Sequence, residues 1–420
     1  MKTKISSVPN GPHLRKEKIV WLNSLIFDRD TTTSQAEMVR YLSERFGYVC
    51  LFATSLRRRH QKESNGHYIF FPMKFVPLIT HFLYTLALVI YVPFYVAIKR
   101  PDFIITDKGT AIVGIAAKIF LRRPRFKVVL DIRTTPLEGE GKFYDKWDPF
   151  LFGVSIVLAK KKFDGITILT DLMKEEICAR FNVNPRFVGV WTSGVSIKVF
   201  DPEKFDEREI REKFCLNDKF VIFYHGSLGV NRGIIEVIKS IAKLKDEFND
   251  LALFILGDLS GEHTLEKLAR EMLVQDKVIF HGKVPYEKVP NYISMCDLGI
   301  VPLPDSRNWR YQCPLKLLEY LAMKKVVVAT NIPANKEIIG QSKCGIYVSS
   351  INPKEIAGAI AFAHANREKL REWGSFGRAI IEEKYTWEKI AENFGNYLLD
   401  LWHTRRVLHG NCDNRRFGVT

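Results

Sequence analysis

The sequence predicts an α/β protein with two doubly wound parallel-sheet domains. Short apolar runs alternate with helical patterns along nearly the whole chain, which is typical of parallel strands joined by crossover helices. The 420 residues are too many for one hydrophobic core and suit two domains of roughly 200 residues each. A hydrophobic fraction of 46% and a charged fraction of 26% are those of a folded globular protein.

The first domain is expected over 18–200, after a flexible segment, 1–17. Its strands are predicted at 18–23, 48–53, 103–106, 127–132 and 163–169, and its helices at 34–46, 75–98, 109–121 and 171–181. Ser193-Gly194 and Asp201-Pro202, followed by a charged run to Lys213, mark the boundary with the second half.

The second domain is expected over 201–385. Its strands are predicted at 219–224, 251–256, 277–281, 297–302, 326–329 and 344–348. Its helices are predicted up to about residue 248, at 262–273, at 289–295 and from Pro314. An amphipathic helix, 386–402, is expected to cross back to the first domain. The polar and basic tail, 403–420, is expected to be loose.

The formal charge of +16 calls for an anionic partner, either a membrane surface or a phosphorylated small molecule. Nucleic acid ranks last because no zinc-finger spacing, aromatic RNA-binding motif or basic heptad arm accompanies the charge. The seven cysteines form no CxxC pair, which favours a reducing compartment. Because the first residues lack an apolar core, we expect no signal peptide and a cytoplasmic protein.

The stretch 75–98 has no formally charged residue and is long enough to span a membrane. Pro77, His81 and Pro93 interrupt it, and strands of one sheet are predicted on both sides of it. We therefore predict a helix that packs partly on the sheet and lies partly in the membrane interface, at the inner face of the membrane. The alternative is a buried core helix. Basic clusters could attract anionic lipid, at Arg57 to Arg59, Lys99-Arg100, Arg122-Arg123 and Lys160 to Lys162.

A helix that starts at Pro314 and carries Glu319 is the strongest candidate for a ligand site. Proline suits a first helical turn, and the buried strand Val326 to Ala329 follows. The helix start is therefore expected at the carboxyl ends of the strands, where free N–H groups favour an anion. The backbone from Cys313 to Leu315, with N–H donors on Cys313 and Leu315, and the Lys316 side chain would serve there. The alternative for Glu319 is an ordinary solvated carboxylate.

A glycine-rich turn, His225 to Gly233, follows the first strand of the second domain. Gly226, Gly229 and Gly233 allow close backbone approach to a ligand, and Arg232 suits a diphosphate. The spacing is not that of a dinucleotide-binding motif, so hydride transfer is not supported. An ordinary tight turn is the alternative.

Charged residues also end strands of the first domain. Asp131 and Arg133 are expected to face the cleft, and a surface ion pair is the alternative reading. The triplet Asp28-Arg29-Asp30 matches an acid-x-acid metal pattern, but such triplets are common by chance. We expect no metal and no cofactor.

With these residues in view, the second half resembles a retaining glycosyltransferase of the GT-B type, close to family 4. The matching segments are HGSLGVNRG, ILGD, VIFHGKVP, CDLGIVPL, PLKLLEYLAMKKVVVAT and YTWEKIAENF, with weaker matches at RPDFIIT, LDIRTTP and VWTSGVSIKVF. The resemblance implies two facing Rossmann-like domains with a cleft between them. The second domain would hold a nucleotide sugar and the first an acceptor.

The resemblance also implies residue roles. Glu319 would accept hydrogen bonds from the ribose hydroxyls, Arg232 and Lys316 would contact the diphosphate, and Val284 would lie near the base. Asp131 or Arg133 would orient a sugar. The remaining nucleotide-sugar contacts are assigned to Gly226, Ser227, Gly257, Lys283, Cys313, Pro314 and Leu315.

Two positions depart from the family pattern. Tyr311 stands where many members carry another glutamate, and Ser227 stands where a second basic residue is common. The implied function is metal-free transfer of a hexose-type sugar, with retention, to a lipid-linked or membrane-proximal acceptor in glycan or cell-envelope polysaccharide synthesis. The alternatives are a nucleotide-sugar epimerase, an inverting transferase, or a non-catalytic sugar-nucleotide-binding subunit.

Overall fold

The computed structural model describes residues 17–26, 34–55, 62–63, 66–72, 79–121, 126–136, 144–229, 232–258 and 262–403. The first sheet consists of β1 (Lys18–Ile26), β2 (Tyr48–Ser55), β3 (Lys62–Glu63), β4 (Gly66–Pro72), β5 (Phe103–Thr106), β6 (Lys127–Ile132), β7 (Gly165–Ile168) and β8 (Val188–Val190). Its strand order is β3-β4-β2-β1-β5-β6-β7-β8, and all neighbours pair in parallel except β3 and β4.

Five helices lie between the strands of the first sheet along the described chain. They are α1 (Ser34–Arg45), α2 (Ile79–Lys99), α3 (Ala111–Phe120), α4 (Tyr144–Lys162) and α5 (Asp171–Phe181). The helices α2, α3 and α4 cover one face of the sheet, and Tyr84, Leu88 and Val92 of α2 are fully buried in that core. Strand β5, covered on both faces, is buried at each of its four positions, as its continuous apolar sequence predicts.

The second sheet follows the same plan. Its strands are β9 (Phe220–Gly226), β10 (Leu251–Gly257), β11 (Val278–Gly282), β12 (Leu298–Val301), β13 (Val326–Thr330) and β14 (Gly345–Val348). They pair in parallel in the order β11-β10-β9-β12-β13-β14. The helices are α6 (Glu207–Lys213), α7 (Ile234–Leu244), α8 (Glu262–Glu271), α9 (Val289–Ser294), α10 (Arg307–Arg310), α11 (Leu315–Ala322), α12 (Pro333–Ile339), α13 (Pro353–Ala365) and α14 (Arg367–Ile380). Two parallel-sheet α/β domains confirm the predicted fold class.

The last described helix, α15 (Trp387–His403), returns to the first domain. Just before it, the backbone of Val195 bonds to that of Tyr385 (2.9 Å), so the chain passes between the domains twice at one place. Trp387 and Phe394 pack with Trp21 of β1 in one buried cluster, on the face opposite α2. The Tyr397 hydroxyl donates to the Ile166 and Phe187 carbonyls (3.1 and 2.9 Å).

Several elements differ from the sequence predictions. Helices α4, α6, α10 and α12 to α14 and strands β3, β4 and β8 were not predicted. Helix α2 is described from Ile79 onward, and the first residues of the predicted helix, 75–78, lie outside the described residues. By length and composition alone, Thr80–Lys99 could cross a membrane, and it is the one such helix among the described residues. Its inner stripe is buried on the sheet, as the prediction of partial packing requires. The segments 1–16 and 404–420 lie outside the described residues, as do Asp28 to Asp30, Arg57 to Arg59 and Arg122-Arg123.

Candidate functional site

A row of glycines forms the floor of the candidate site at the carboxyl ends of the second sheet. Gly226 of β9 pairs with Gly257 of β10, which pairs with Gly282 of β11. A Cβ atom on Gly257 would overlap the Gly226 carbonyl, so the strand ends lie too close together for a side chain. Three neighbouring strands thus present bare backbone at the edge where open α/β sheets bind ligands.

The turn after β9 depends on glycine for its shape. Gly226 and Gly233 have φ angles of +112° and +71°, which side-chain-bearing residues rarely adopt. Gly233 also lies against the backbone of Pro302, which follows β12, so that a Cβ atom would overlap the Pro302 carbonyl oxygen. The turn brings Arg232 to the start of α7, beside the glycine floor.

We expect Gly233→Ala to lower the free energy of unfolding by about 2 kcal/mol or more, because it combines a strained φ with overlap of backbone atoms. Gly229→Ala is the matched control, since within the described part of the chain its added Cβ would meet only the Ser227 hydroxyl, at 3.7 Å. Urea unfolding of the two variants checks the expectation. Equal stability of the two would show that the turn can relax around Gly233.

The start of α11 points free backbone N–H groups toward this floor. Pro314 occupies the N-cap position, and no side chain there accepts a hydrogen bond from the helix. The helix is held in place by Tyr320, whose ring lies against Gly299 and whose hydroxyl donates to the Phe223 carbonyl (2.8 Å). Lys316 and Glu319, three residues apart, consequently share one flank of the helix.

The amine of Lys316 is buried and lacks a hydrogen-bond partner among the described residues. It lies 3.8 Å from the centre of the Tyr224 ring and close to Gly226. Burial, together with the neighbouring Arg232, lowers the pKa of Lys316 to about 7, and Glu319 opposes both effects. The Arg232 guanidinium lies 4.4 Å from the centre of the Trp309 ring. These two cationic side chains create a site suited to an anion.

Glu319 is also buried, with 5% of its surface exposed. Burial raises its pKa to about 7, against the opposing effects of Lys316 and of a hydrogen bond with the Tyr286 side chain. The carboxylate lies 3.2 Å from Nε2 of His225, the residue that directly follows the apolar run of β9. Burial and Lys316 hold the pKa of His225 well below its usual range, so the imidazole is neutral. Glu319 is therefore not a solvated surface carboxylate.

Asp131 and Arg133 belong to a network within the first domain. Asp131 is buried, and its Oδ1 accepts hydrogen bonds from the Thr167 hydroxyl (2.9 Å) and the Trp191 indole N–H (2.8 Å). The Arg133 guanidinium lies 3.4 Å from the centre of the Trp191 ring and donates to the Trp191 carbonyl oxygen. Burial raises the pKa of Asp131 to about 6, although Arg133 and both hydrogen bonds act against the rise. In this arrangement Asp131 holds Trp191, and Arg133 lies nearer to solvent.

Tyr311, whose role the sequence left open, lies where the two domains meet. Its side chain lies beside Glu176 of α5. Burial acts to raise the pKa of that carboxyl, but Tyr311 and Arg307 outweigh it and the pKa is lowered. Arg307 of α10 donates to the same carboxylate (2.5 Å), and the Thr170 hydroxyl donates to the Tyr311 carbonyl (3.4 Å). The segment before α11 is thus tied across the cleft to the first domain.

The other predicted site residues divide into two groups. Ser227 and Lys283 are exposed at the ends of β9 and β11, and Val284 is partly buried against the core. Cys313, by contrast, is buried, and its sulfur faces the Ser193 carbonyl of the first domain (4.0 Å). Its side chain belongs to the domain contact. No group of three or more His, Cys, Asp or Glu side chains suited to a metal ion occurs within the described parts of the chain.

Sequence reasoning assigned no role to His225, Tyr286 or Glu176. Each of them contacts a residue that is distant in sequence, Glu319 or Tyr311. One feature of the sequence could have identified His225. It is a polar residue directly after a run of five apolar strand residues, which places it at the carboxyl edge of the sheet, where ligands bind. Tyr286 and Glu176 had none.

Comparison with known families matches residues 206–380 to the glycosyl transferases group 1. The uncharacterized glycosyltransferase MJ1607 of Methanocaldococcus jannaschii is 25% identical over 299 residues, which are 69% of this chain and 73% of that protein. The GDP-mannose-dependent alpha-(1-6)-phosphatidylinositol monomannoside mannosyltransferase of Mycobacterium tuberculosis is 23% identical over 49% of this chain. That match spans only 54% of the mannosyltransferase.

Solved structures share the fold over nearly the whole chain. Sucrose-phosphate synthase from Thermosynechococcus elongatus superposes with a TM-score of 0.74 at 16% identity, over 92% of this chain and 99% of that one. Anabaena Alr3699/HepE, solved in complex with UDP and glucose, superposes with a TM-score of 0.68 at 15% identity, over 91% of this chain and 99% of that one.

Proposed function

We propose that this glycosyltransferase, whose residues 206–380 form its group 1 domain, moves a hexose-type sugar from a nucleoside-diphosphate sugar to an acceptor with retention of configuration. The observation that carries the proposal is the Lys316 amine, which is buried beside the glycine floor without a partner among the described residues. Because a buried unpaired amine is costly, a bound anion is the natural reason to keep it. Arg232, on the next helix start, supports a diphosphate rather than a single carboxylate.

The donor is proposed to bind along the carboxyl edge of the second sheet. The diphosphate lies between Lys316, Arg232 and the start of α11, and the ribose hydroxyls donate to Glu319. The base lies toward Val284 at the end of β11. Gly226 and Gly257 let the donor approach the backbone, and Arg133 of the facing domain orients a sugar.

Transfer is proposed to need no side-chain nucleophile, metal or cofactor. The bond from the anomeric carbon to the diphosphate oxygen breaks, and the acceptor oxygen bonds to that carbon on the same face. The acceptor proton passes to the departing diphosphate. Lys316, Arg232 and the helix start stabilise the negative charge that builds on the diphosphate, and this electrostatic contribution supplies most of the rate gain.

The acceptor is proposed to be a glycan or lipid-linked molecule in glycan or cell-envelope polysaccharide synthesis, used by a protein held peripherally at the inner face of the membrane. The net charge of +16 and the apolar helix α2 support a membrane-proximal acceptor. The phosphatidylinositol mannoside named in the M. tuberculosis relative is an acceptor of this class.

Incubation of the protein with labelled UDP-sugars and GDP-sugars and a membrane lipid extract tests the proposal. We expect one donor to give a labelled lipid-linked or glycan-linked product. NMR of this product should show that the transferred sugar keeps the anomeric configuration it has in the donor. Arg232→Ala should remove most of this product, and Arg270→Ala, an exposed site on α8, should not. Interconversion of the free donor would indicate an epimerase instead. Tight nucleotide binding without product in every pairing would indicate a non-catalytic subunit.

A further inference from the structure

The outer surface of α2, α3 and α4 is apolar rather than polar. Large side chains there are each more than half exposed, among them Phe82, Ile90 and Ile98 of α2, Ile119 of α3 and Phe150 of α4. Helices on the surface of a globular protein normally turn charged or polar residues outward. In α2 no residue from Ile79 to Ile98 carries a formal charge. We call the exposed side chains of these three helices the outer apolar face.

The outer apolar face is continuous across the helices. The rings of Phe94 on α2 and Phe120 on α3 are in contact at the surface, with centroids 5.2 Å apart. The helices α3 and α4 are tied near both ends, by an ion pair between Lys108 and Asp148 and by a hydrogen bond from Lys118 to the Lys162 carbonyl (2.8 Å). The face therefore belongs to one rigid layer.

The dimensions of this layer exceed those of an ordinary surface patch. Helix α2, with 21 residues, is about 30 Å long at 1.5 Å per residue. Three neighbouring helices at about 8–10 Å between axes make the layer about 20 Å wide. Contiguous apolar patches of this size on soluble proteins mark interaction sites.

Positive charge lies at one end of the outer apolar face. Lys99 ends α2 and Arg100 follows it, and Lys160, Lys161 and Lys162 end α4; all five are exposed. Among the described residues, no carboxylate forms a salt bridge with any of them. This charge complements an anionic surface, and it would repel a second copy of a chain that itself carries +16.

We propose that the outer apolar face docks on an anionic lipid bilayer, with α2, α3 and α4 lying in the interface rather than crossing it. The inner stripe of α2 explains why the helix stays in the interface. Tyr84, Leu88 and Val92 are fully buried on the sheet, so α2 could not span a bilayer without opening the core of the first domain. The lysines at the helix ends contact the lipid headgroups.

Docking in this way places the cleft at the membrane surface. Near its start α2 lies at the carboxyl edge of the sheet, where the Thr85 hydroxyl donates to the Gly109 carbonyl (3.3 Å). Its far end lies at the opposite edge, where Lys18 of β1 donates to the Lys99 carbonyl (3.3 Å). An acceptor held in the bilayer would thus meet the first domain beside its ligand edge, a step that rests on the proposed function.

Flotation with lipid vesicles tests the docking surface directly. Wild-type protein should float with mixed phosphatidylcholine and phosphatidylglycerol vesicles. The triple variant Ile90→Ser, Phe94→Ser and Ile119→Ser should partition at least about tenfold less, because each side chain contributes apolar area to the interface. Phe362→Ser, at an exposed aromatic of α13 in the other domain, is the matched control and should float like the wild type.

A second variant isolates the electrostatic part. Lys160→Gln, Lys161→Gln and Lys162→Gln together should reduce flotation with the mixed vesicles by about tenfold or more and leave the weaker binding to pure phosphatidylcholine unchanged. Equal flotation of the apolar triple variant and the Phe362→Ser control would overturn the proposal. A second result would also overturn the proposal: light scattering shows a wild-type dimer and a monomeric apolar triple variant, and neither protein binds vesicles. Unchanged near-UV circular dichroism of the variants shows that they are folded. Because the vesicle assay contains no sugar donor, its failure would leave the transferase proposal standing.

Discussion

Replacing Lys316 by methionine should weaken UDP binding by about 100-fold while stabilising the unliganded protein by about 2–4 kcal/mol. The amine is buried without a partner among the described residues, so it destabilises the empty site. Under the proposed function it gains a partner when a diphosphate binds. Methionine keeps the volume of the side chain and removes the charge. Calorimetric titration with UDP and urea unfolding of both proteins measure the two effects.

Lys336→Met, at an exposed position of α12, is the matched control for Lys316→Met and should change neither quantity.

The pH dependence of stability and of UDP affinity gives a second check. Since burial lowers the pKa of Lys316 to about 7 from an ordinary value of 10.5, the folded protein holds the costly charge below pH 7 and loses it above. The stability gained by Lys316→Met should therefore be largest below pH 7 and fade as the pH rises toward 10.5. Wild-type affinity for UDP should fall above pH 7. Unchanged UDP affinity in Lys316→Met would show that the diphosphate lies elsewhere.

Glu319→Ala should abolish discrimination between UDP and 2′,3′-dideoxy-UDP. If the carboxylate accepts from the ribose hydroxyls, the wild type should prefer UDP by about 10- to 100-fold, the usual range for hydrogen bonds to a charged group. The variant should bind both nucleotides with the weak affinity that the wild type shows for the dideoxy compound. Competition binding with the two nucleotides measures the difference.

Glu368→Ala on α14 is the control for Glu319→Ala, because its carboxylate is exposed on the same domain. It should keep the full preference for UDP. A Glu319→Ala protein that still prefers UDP over the dideoxy compound would contradict the ribose assignment. Near-UV circular dichroism of both variants separates this outcome from a loss of fold.

The fold was predictable where strand sequences are apolar without interruption. β5 and β13 are buried at every position, and both lie within one residue of their predicted bounds. Helix α4 was missed because its outward residues, including Trp147 and Phe150, are apolar, so the sequence lacks the alternation that identifies a surface helix. β8 has only three residues, too few for a period to appear.

The candidate site was predictable to the extent that local sequence determines it. The spacing of Lys316 and Glu319 puts both on one flank of α11, and the glycines of 225–233 allow the turn that brings Arg232 there. The partners of these residues were not predictable, because they come from other strands and from the facing domain. Only the folded chain brings His225 to Glu319 and Glu176 to Tyr311.

The double passage of the chain between the domains determines how this protein can be recombined with a relative. A chimera with one junction near residue 200 would take α15 from the parent that supplies the second domain, although α15 packs on the first. Phe394 lies 5.6 Å from Trp21 and 5.3 Å from Trp191, ring centre to ring centre, so a foreign α15 would have to fit a core it did not evolve with. Exchange at two junctions, beside Val195 and Thr386, keeps that core in one parent. Since these residues are neighbours, one graft can replace the second domain as a unit. Under the proposed function, this exchange should change the choice of nucleotide sugar.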